Sequence, residues 1–364
     1  MDKDKQETAI LLLADGTVFR GRAAGAKRKA FGRVAFNTSM VGYQELLCDP
    51  ANRGLLLADT FPLAGNYGVI GDEPWKQAEA AGFIVRELCE LPSNYRCEGT
   101  LGDFLREKGV PVICGIDTRR LTKHIREHGE QKAVLASGDD LDEAALAAEL
   151  AAWEPAWSLA PEGTVGVIGG VDGPLEGADL NILALGAPGE LRLTGAEVHT
   201  LPWWAATAER VREAKPDGIL LWDGPGDPAA FPEAAALVKE LCGMGIPMLG
   251  VSLGHQLLAI ANGMKTREMK HGHRGANQPV LRLETGRTYI TAQNHGWVVD
   301  ETGVDGSVCR VSWRNSNDKT VEGLDYTSIP AFSVQFLPDA KAGTQSTSFV
   351  FETFLDLVRK GRMN

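Results

Sequence analysis

The segment Met248-Leu-Gly-Val-Ser-Leu-Gly-His-Gln-Leu-Leu-Ala259 reads as a short strand, a sharp turn held between two glycines, and a helix. Glycines at 250 and 254 permit the close backbone approach that lifts Ser252 above a sheet, while the N-terminus of the following helix offers N–H groups to an anion. What the apex side chain can do depends on its element. A thiol is drawn toward thiolate by a nearby histidine, whereas a hydroxyl needs a well-aligned general base.

Around this unit the hydrophobic pattern alternates. Strands are expected at 181–185, 197–201 and 218–222, with helices at 207–214 and 231–243, an order that implies an α/β fold with a largely parallel, doubly wound sheet. Sites in such sheets lie at the carboxyl ends of the strands, where Asp223-Gly-Pro-Gly-Asp227 and Ser252 both fall. The chain of 364 residues is too long for one ordinary core. Its first part opens on two apolar strands around an Asp15-Gly16 turn, giving a domain with a β-rich start. Helical periodicity at Leu146, Leu150 and Trp153 gives way to Pro155, Pro161 and a glycine-rich run. The expected organisation is a domain over 1–155, a linker over 156–177 and a second domain over 178–364.

Charge narrows the function. A formal net charge of −11 argues against a nucleic-acid surface and against an anionic membrane face. No apolar run reaches the length of a membrane span, and the charged opening Met1–Thr8 is a poor signal peptide, so the chain is expected in the cytoplasm. Cysteines at 48, 89, 97, 114, 242 and 309 form no C-x-x-C pair, which indicates neither a disulfide framework nor a metal site. Cys242, on the helix before the turn, is a poor substitute for a nucleophile at 252.

Two upstream segments are more specific. Phe36-Asn-Thr-Ser-Met-Val-Gly-Tyr-Gln-Glu45 and Gly115-Ile-Asp-Thr-Arg-Arg-Leu-Thr-Lys-His-Ile-Arg126 resemble the N-terminal domain of carbamoyl phosphate synthetase small subunits. Downstream, Gly224-Pro-Gly-Asp-Pro228, Gly272-His-Arg-Gly-Ala-Asn-Gln-Pro-Val280 and Thr291-Ala-Gln-Asn-His-Gly-Trp-Val-Val-Asp-Glu301 resemble that family's class I glutamine amidotransferase domain. The resemblance runs over nearly the whole chain and is weakest between about 130 and 200. It implies a subunit that hydrolyses glutamine to supply ammonia to a large subunit, which makes carbamoyl phosphate for pyrimidine and arginine synthesis. ATP and its metal belong to that large subunit, and no P-loop occurs here, so this chain is expected to need no cofactor of its own.

Carried over position by position, the resemblance implies a glutamine pocket of Ser39, Gly224, Gly226, Leu253, Gln256, Asn294, Gly296 and Trp297. The backbone N–H groups of Gly224 and Leu253 would form the oxyanion hole that stabilises the tetrahedral intermediate of amide hydrolysis. Trp297 stands where phenylalanine is usual in the family.

The implied triad departs further. The family's cysteine is Ser252 here, and its His-Pro-Glu-Ala run following Phe-Ser-x-Gln reads Phe332-Ser-Val-Gln-Phe-Leu-Pro-Asp-Ala340. That register puts Leu337 at the base and Asp339 at the orienting carboxylate. No histidine follows His295, and leucine accepts no proton. Leu183-Ala-Leu-Gly-Ala-Pro-Gly189 also replaces a charged family segment. The expectation is a small subunit whose glutaminase chemistry is lost. Two alternatives stand beside it. One is a non-enzymatic glutamine-binding or regulatory protein. The other is a serine hydrolase, since Gly250-Val-Ser-Leu-Gly254 satisfies G-x-S-x-G and Glu268 or Glu284 with His295 follows in the required order.

Overall fold

The computed structural model describes residues 7–71, 77–138, 141–159, 175, 179–186, 191–338 and 346–363. They form two compact units, one of Met1–Ala156 with Lys270–Gly275 and one of Trp157–Met269 with Ala276–Asn364.

In the first unit seven strands close into a barrel, in the order Thr8–Leu13, Val18–Gly25, Pro111–Cys114, Gly82–Ile84, Leu55–Asp59, Lys29–Asn37 and Lys132–Ser137. The first two pair antiparallel around the expected turn, where Gly16 takes φ 85° and the Asp15 carboxylate accepts the Thr17 N–H at 2.9 Å. Lys29–Asn37, Leu55–Asp59, Gly82–Ile84 and Pro111–Cys114 pair in parallel, so the barrel mixes both ladder types. Closure removes exposed sheet edges and encloses Leu11, Val34, Leu56, Ile84, Ile113 and Leu135. The basic segment is the helix Thr118–His128, capped by Asp117, whose carboxylate accepts the Arg120 N–H at 2.9 Å. Leu121 and Ile125 face the barrel while Arg119, Arg120, Lys123 and Arg126 face water.

The short segment Lys270–Gly275 belongs to this unit by its bonds. Its Lys270 carbonyl accepts the Glu130 N–H at 2.9 Å, its Arg274 carbonyl accepts the Thr38 N–H at 3.2 Å, and its Gly272 N–H reaches the Glu130 carboxylate at 2.7 Å. Arg274 also pairs with Glu130, and the two side chains are only 3% and 4% exposed. Removing one partner of a buried ion pair strands the other charge. Glu130→Ala is therefore expected to lower the stability of this unit by about 3–5 kcal/mol, measured as a shift in the urea midpoint. A change below about 1 kcal/mol would mean that water reaches the pair and screens it.

The second unit is built on a nine-stranded sheet. Glu197–Leu201, Asn181–Leu185, Gly218–Leu221, Met248–Val251 and Ala331–Val334 lie side by side in parallel, and the sheet continues antiparallel through Val321–Tyr326 and Cys309–Asn315 before Thr266–Arg282 and Arg287–Val299. The central parallel strands Gly218–Leu221 and Met248–Val251 are apolar on both faces because both are covered. Ile219 and Leu221 join Val211, Val238, Leu241 and Leu257 on one side, and Leu220 joins Phe354, Leu355 and Val358 on the other. The helices Ala208–Ala214, Pro232–Cys242 and Leu253–Ala261 contribute to the first layer, and Phe349–Met363 to the second. Among the described residues no helix is long and apolar enough to cross a membrane.

Candidate active site

Ser252 sits between the strand Met248–Val251 and the helix Leu253–Ala261, at φ 53° and ψ −110°. A side-chain-bearing residue adopts such a backbone only where its surroundings enforce it. Here they do. The Ser252 N–H donates to the Val334 carbonyl at 2.9 Å, and the next turn is held by Gly254 N–H to Trp222 O at 3.1 Å and Gln256 N–H to Ser252 O at 3.2 Å. A Cβ on Gly254 would meet the Leu221 carbonyl oxygen at 2.1 Å, and one on Gly250 would meet the Gly254 carbonyl oxygen at 2.8 Å. Both glycines are thus demanded by backbone packing. Ser252 is buried, and its side chain does not cap the helix it begins.

The Asp223–Asp227 loop leaves the end of the strand Gly218–Leu221 beside this turn. Gly226 takes φ 80°, and a Cβ there would lie 2.4 Å from the Trp157 ring. On Gly224 a Cβ would meet Leu253 Cδ2 at 2.6 Å and Leu159 Cδ2 at 3.4 Å. The two N–H groups expected to form the oxyanion hole point to one atom. Gly224 donates to Asp223 Oδ1 at 2.7 Å, and Leu253 donates to the same oxygen at 3.4 Å.

Other expected pocket residues of this unit are close-packed. The Gln256 amide donates to the Trp297 carbonyl at 2.7 Å and to Gln335 Oε1 at 3.0 Å. Asn294, Gly296 and Trp297 are buried along the strand Arg287–Val299, and the Trp297 ring meets Trp157 edge-on with centroids 5.8 Å apart. Ser39 belongs to the first unit. It follows the strand Lys29–Asn37, is half-buried, and donates its N–H to Asn37 Oδ1 at 2.7 Å.

At the expected base position, Leu337 donates its N–H to the Ala292 carbonyl at 2.9 Å, and its side chain packs with the apolar layer that holds Phe336 and Trp313. Asp339 lies outside the described residues, as does most of the expected linker over 156–177.

Two histidines, His255 and His295, are the candidates to consider, and neither is disposed as a base for Ser252. His255 is wholly buried, with Nδ1 2.7 Å from Ser333 Oγ, and burial brings its pKa down to about 3. His255 therefore stays neutral and structural at neutral pH. His295 has Nδ1 2.9 Å from the Trp297 carbonyl and Nε2 2.9 Å from Gln293 Oε1, so both ring nitrogens are engaged within their own strand. Of the acids a serine hydrolase would need, Glu284 is exposed and bonded to Arg282 at 2.5 Å, and Glu268 is exposed. Cys242 is half-buried and burial raises its thiol pKa, so it is a poor nucleophile.

Sequence reasoning named the Gly224 loop but gave no role to Asp223, Trp157 or Leu159. The only local signal was an aspartate immediately before Gly-Pro-Gly, a residue type that readily bonds nearby backbone N–H groups. Trp157 and Leu159 reach the loop from some 70 residues away in sequence, a long-range contact with no local signature.

Comparison with known proteins fits both units. A family profile described as carbamoyl-phosphate synthase small chain, CPSase domain, matches residues 11–135, and one described as glutamine amidotransferase class-I matches residues 189–357. The carbamoyl phosphate synthase small chain of Bacillus caldolyticus is 41% identical, with 96% of each chain covered. That of Listeria monocytogenes serotype 4b is 40% identical over 96% of each, and that of Methanopyrus kandleri is 41% identical over 97% of this chain and 99% of the relative. With both domains matched and relatives aligned nearly end to end, the chain belongs to the carbamoyl phosphate synthase small-chain family.

Proposed function

We propose that this small chain binds a carbamoyl phosphate synthase large subunit in the cytoplasm but no longer hydrolyses glutamine for it. The observation that carries the proposal is Leu337, an alkyl side chain packed with its neighbours where the family register calls for a proton acceptor. With Ser252 at the apex, no group takes the hydroxyl proton during attack and none returns a proton to the leaving ammonia. ATP, its metal and the bicarbonate chemistry belong to the large subunit, which then draws on free ammonia.

Assembly is the test. Co-expression with a cognate large subunit should yield a complex that co-purifies and makes carbamoyl phosphate in response to ammonium salts and not to glutamine. A complex driven by glutamine would overturn the proposal. A failure to co-purify would favour a second reading, a free-standing glutamine-binding protein.

A further inference from the structure

We infer that Asp223 fills this chain's oxyanion hole with its own carboxylate. The inference rests on the reading of the Gly224 and Leu253 N–H groups as that hole. An oxyanion hole is two N–H donors converging on the place of a single negatively charged oxygen. In this chain the place is taken. Asp223 Oδ1 accepts from Gly224 at 2.7 Å and from Leu253 at 3.4 Å. A carboxylate oxygen has the charge and acceptor character of the intermediate it displaces, so the bound carboxylate mimics a transition state and competes with it.

Local structure explains why the carboxylate settles there. Leu253 opens the helix Leu253–Ala261, whose first N–H groups lack intrahelical partners and carry the positive end of the helix dipole. A residue at the start of a helix ordinarily answers them with its own side chain, but Ser252 makes no such bond. Asp223 supplies the acceptor from the neighbouring loop. The close packing of Leu253 Cδ2 and Leu159 Cδ2 around Gly224 holds that loop against the helix. Capping and blocking are one contact. A glutamine carbonyl entering the pocket meets a carboxylate that has already engaged both donors, and it must displace that charge before it can be polarised.

Amide NMR of the unmodified chain and of its Asp223→Ala and Asp223→Asn variants tests the contact without any reference to glutamine. The Gly224 and Leu253 N–H resonances should move upfield in Asp223→Ala and by a smaller amount in Asp223→Asn, whose neutral amide oxygen keeps the shape. If both resonances stay in place in the two variants, the inference is overturned. Its consequence is read in the Ser252→Cys/Leu337→His/Asp339→Glu background. There, adding Asp223→Asn should raise kcat roughly 100-fold, the scale of an oxyanion-hole donor, with KM changed only a few-fold. A residue that only capped the helix would leave kcat level or lower it. Equal kcat in a background that does turn over glutamine therefore also overturns the inference. If neither form turns over glutamine while the resonances move as expected, the self-filled hole stands and the 337/339 register is what fails.

Discussion

Purified chain incubated with glutamine is expected to release no ammonia above a buffer control, alone or with a large subunit present. Three features compound. The hydroxyl of Ser252 is a weak nucleophile at neutral pH, the position to which the family resemblance assigns the base carries the alkyl side chain of Leu337, and His255 and His295 are engaged with other partners. Loss of nucleophile or base from a comparable triad lowers turnover by about a million-fold, and because such residues act as a unit the second loss adds little. An ordinary ammonia assay therefore reads zero. Ser252→Ala is the control that gives the result meaning. Enzyme-proportional turnover that vanishes in Ser252→Ala would show that Ser252 is an activated nucleophile, and the assignment of an inactive site would have to be withdrawn.

The second large effect is recovery. Ser252→Cys alone should do little, because a thiol without a neighbouring imidazole keeps most of its proton and nothing delivers a proton to the departing ammonia. Leu337→His alone should also do little, with no thiol to activate. Combined with Asp339→Glu, the two should bring back measurable ammonia release and a covalent thioester. The triple variant should exceed the product of the single effects by several orders of magnitude, as expected for groups that work only together. The scaffold favours this outcome. Gly250 and Gly254 still shape the turn, Ser252 still occupies the positive-φ apex, and Gln256 still anchors on the Trp297 carbonyl. Mass spectrometry of the glutamine-treated triple variant checks for the thioester, and calorimetry on the unmodified chain checks glutamine binding. Glutamine binding without any recovery in a well-folded triple variant would show that either the 337/339 register or the preformed oxyanion hole is wrong, and the added Asp223→Asn change separates the two.

Local features are what a sequence displays. The turn at Ser252 is legible because two glycines four residues apart have a single steric purpose, seen in the 2.1 Å and 2.8 Å contacts their missing Cβ atoms avoid. The alternation from Asn181 to Ala261 is legible because strands covered on both faces read as short continuous apolar runs. Barrel closure is not. The parallel pairings of Lys29–Asn37, Leu55–Asp59, Gly82–Ile84 and Pro111–Cys114 join strands across intervening loops, and nothing in a strand names its partner. Residue identities at 252 and 337 could be read once a register was chosen. The role of Asp223 could not, because its bond to Leu253 spans 30 residues and exists only when loop and helix meet.

The excursion of Lys270–Gly275 into the first unit makes that unit discontinuous along the chain. It is therefore not a module that a gene could lend out. A fragment ending at Ala156 lacks the Arg274 guanidinium and the Gly272 N–H that satisfy the Glu130 carboxylate, and it leaves that acid without the partners it has in the intact chain. The complementary fragment carries Lys270, Gly272 and Arg274, whose partners Glu130 and Thr38 have been discarded. Truncation at the apparent boundary is thus a double lesion, and recombination that swapped only the first 156 residues between relatives would have to match position 130 of one parent to position 274 of the other. Inheritance of the two halves is coupled by a buried charge.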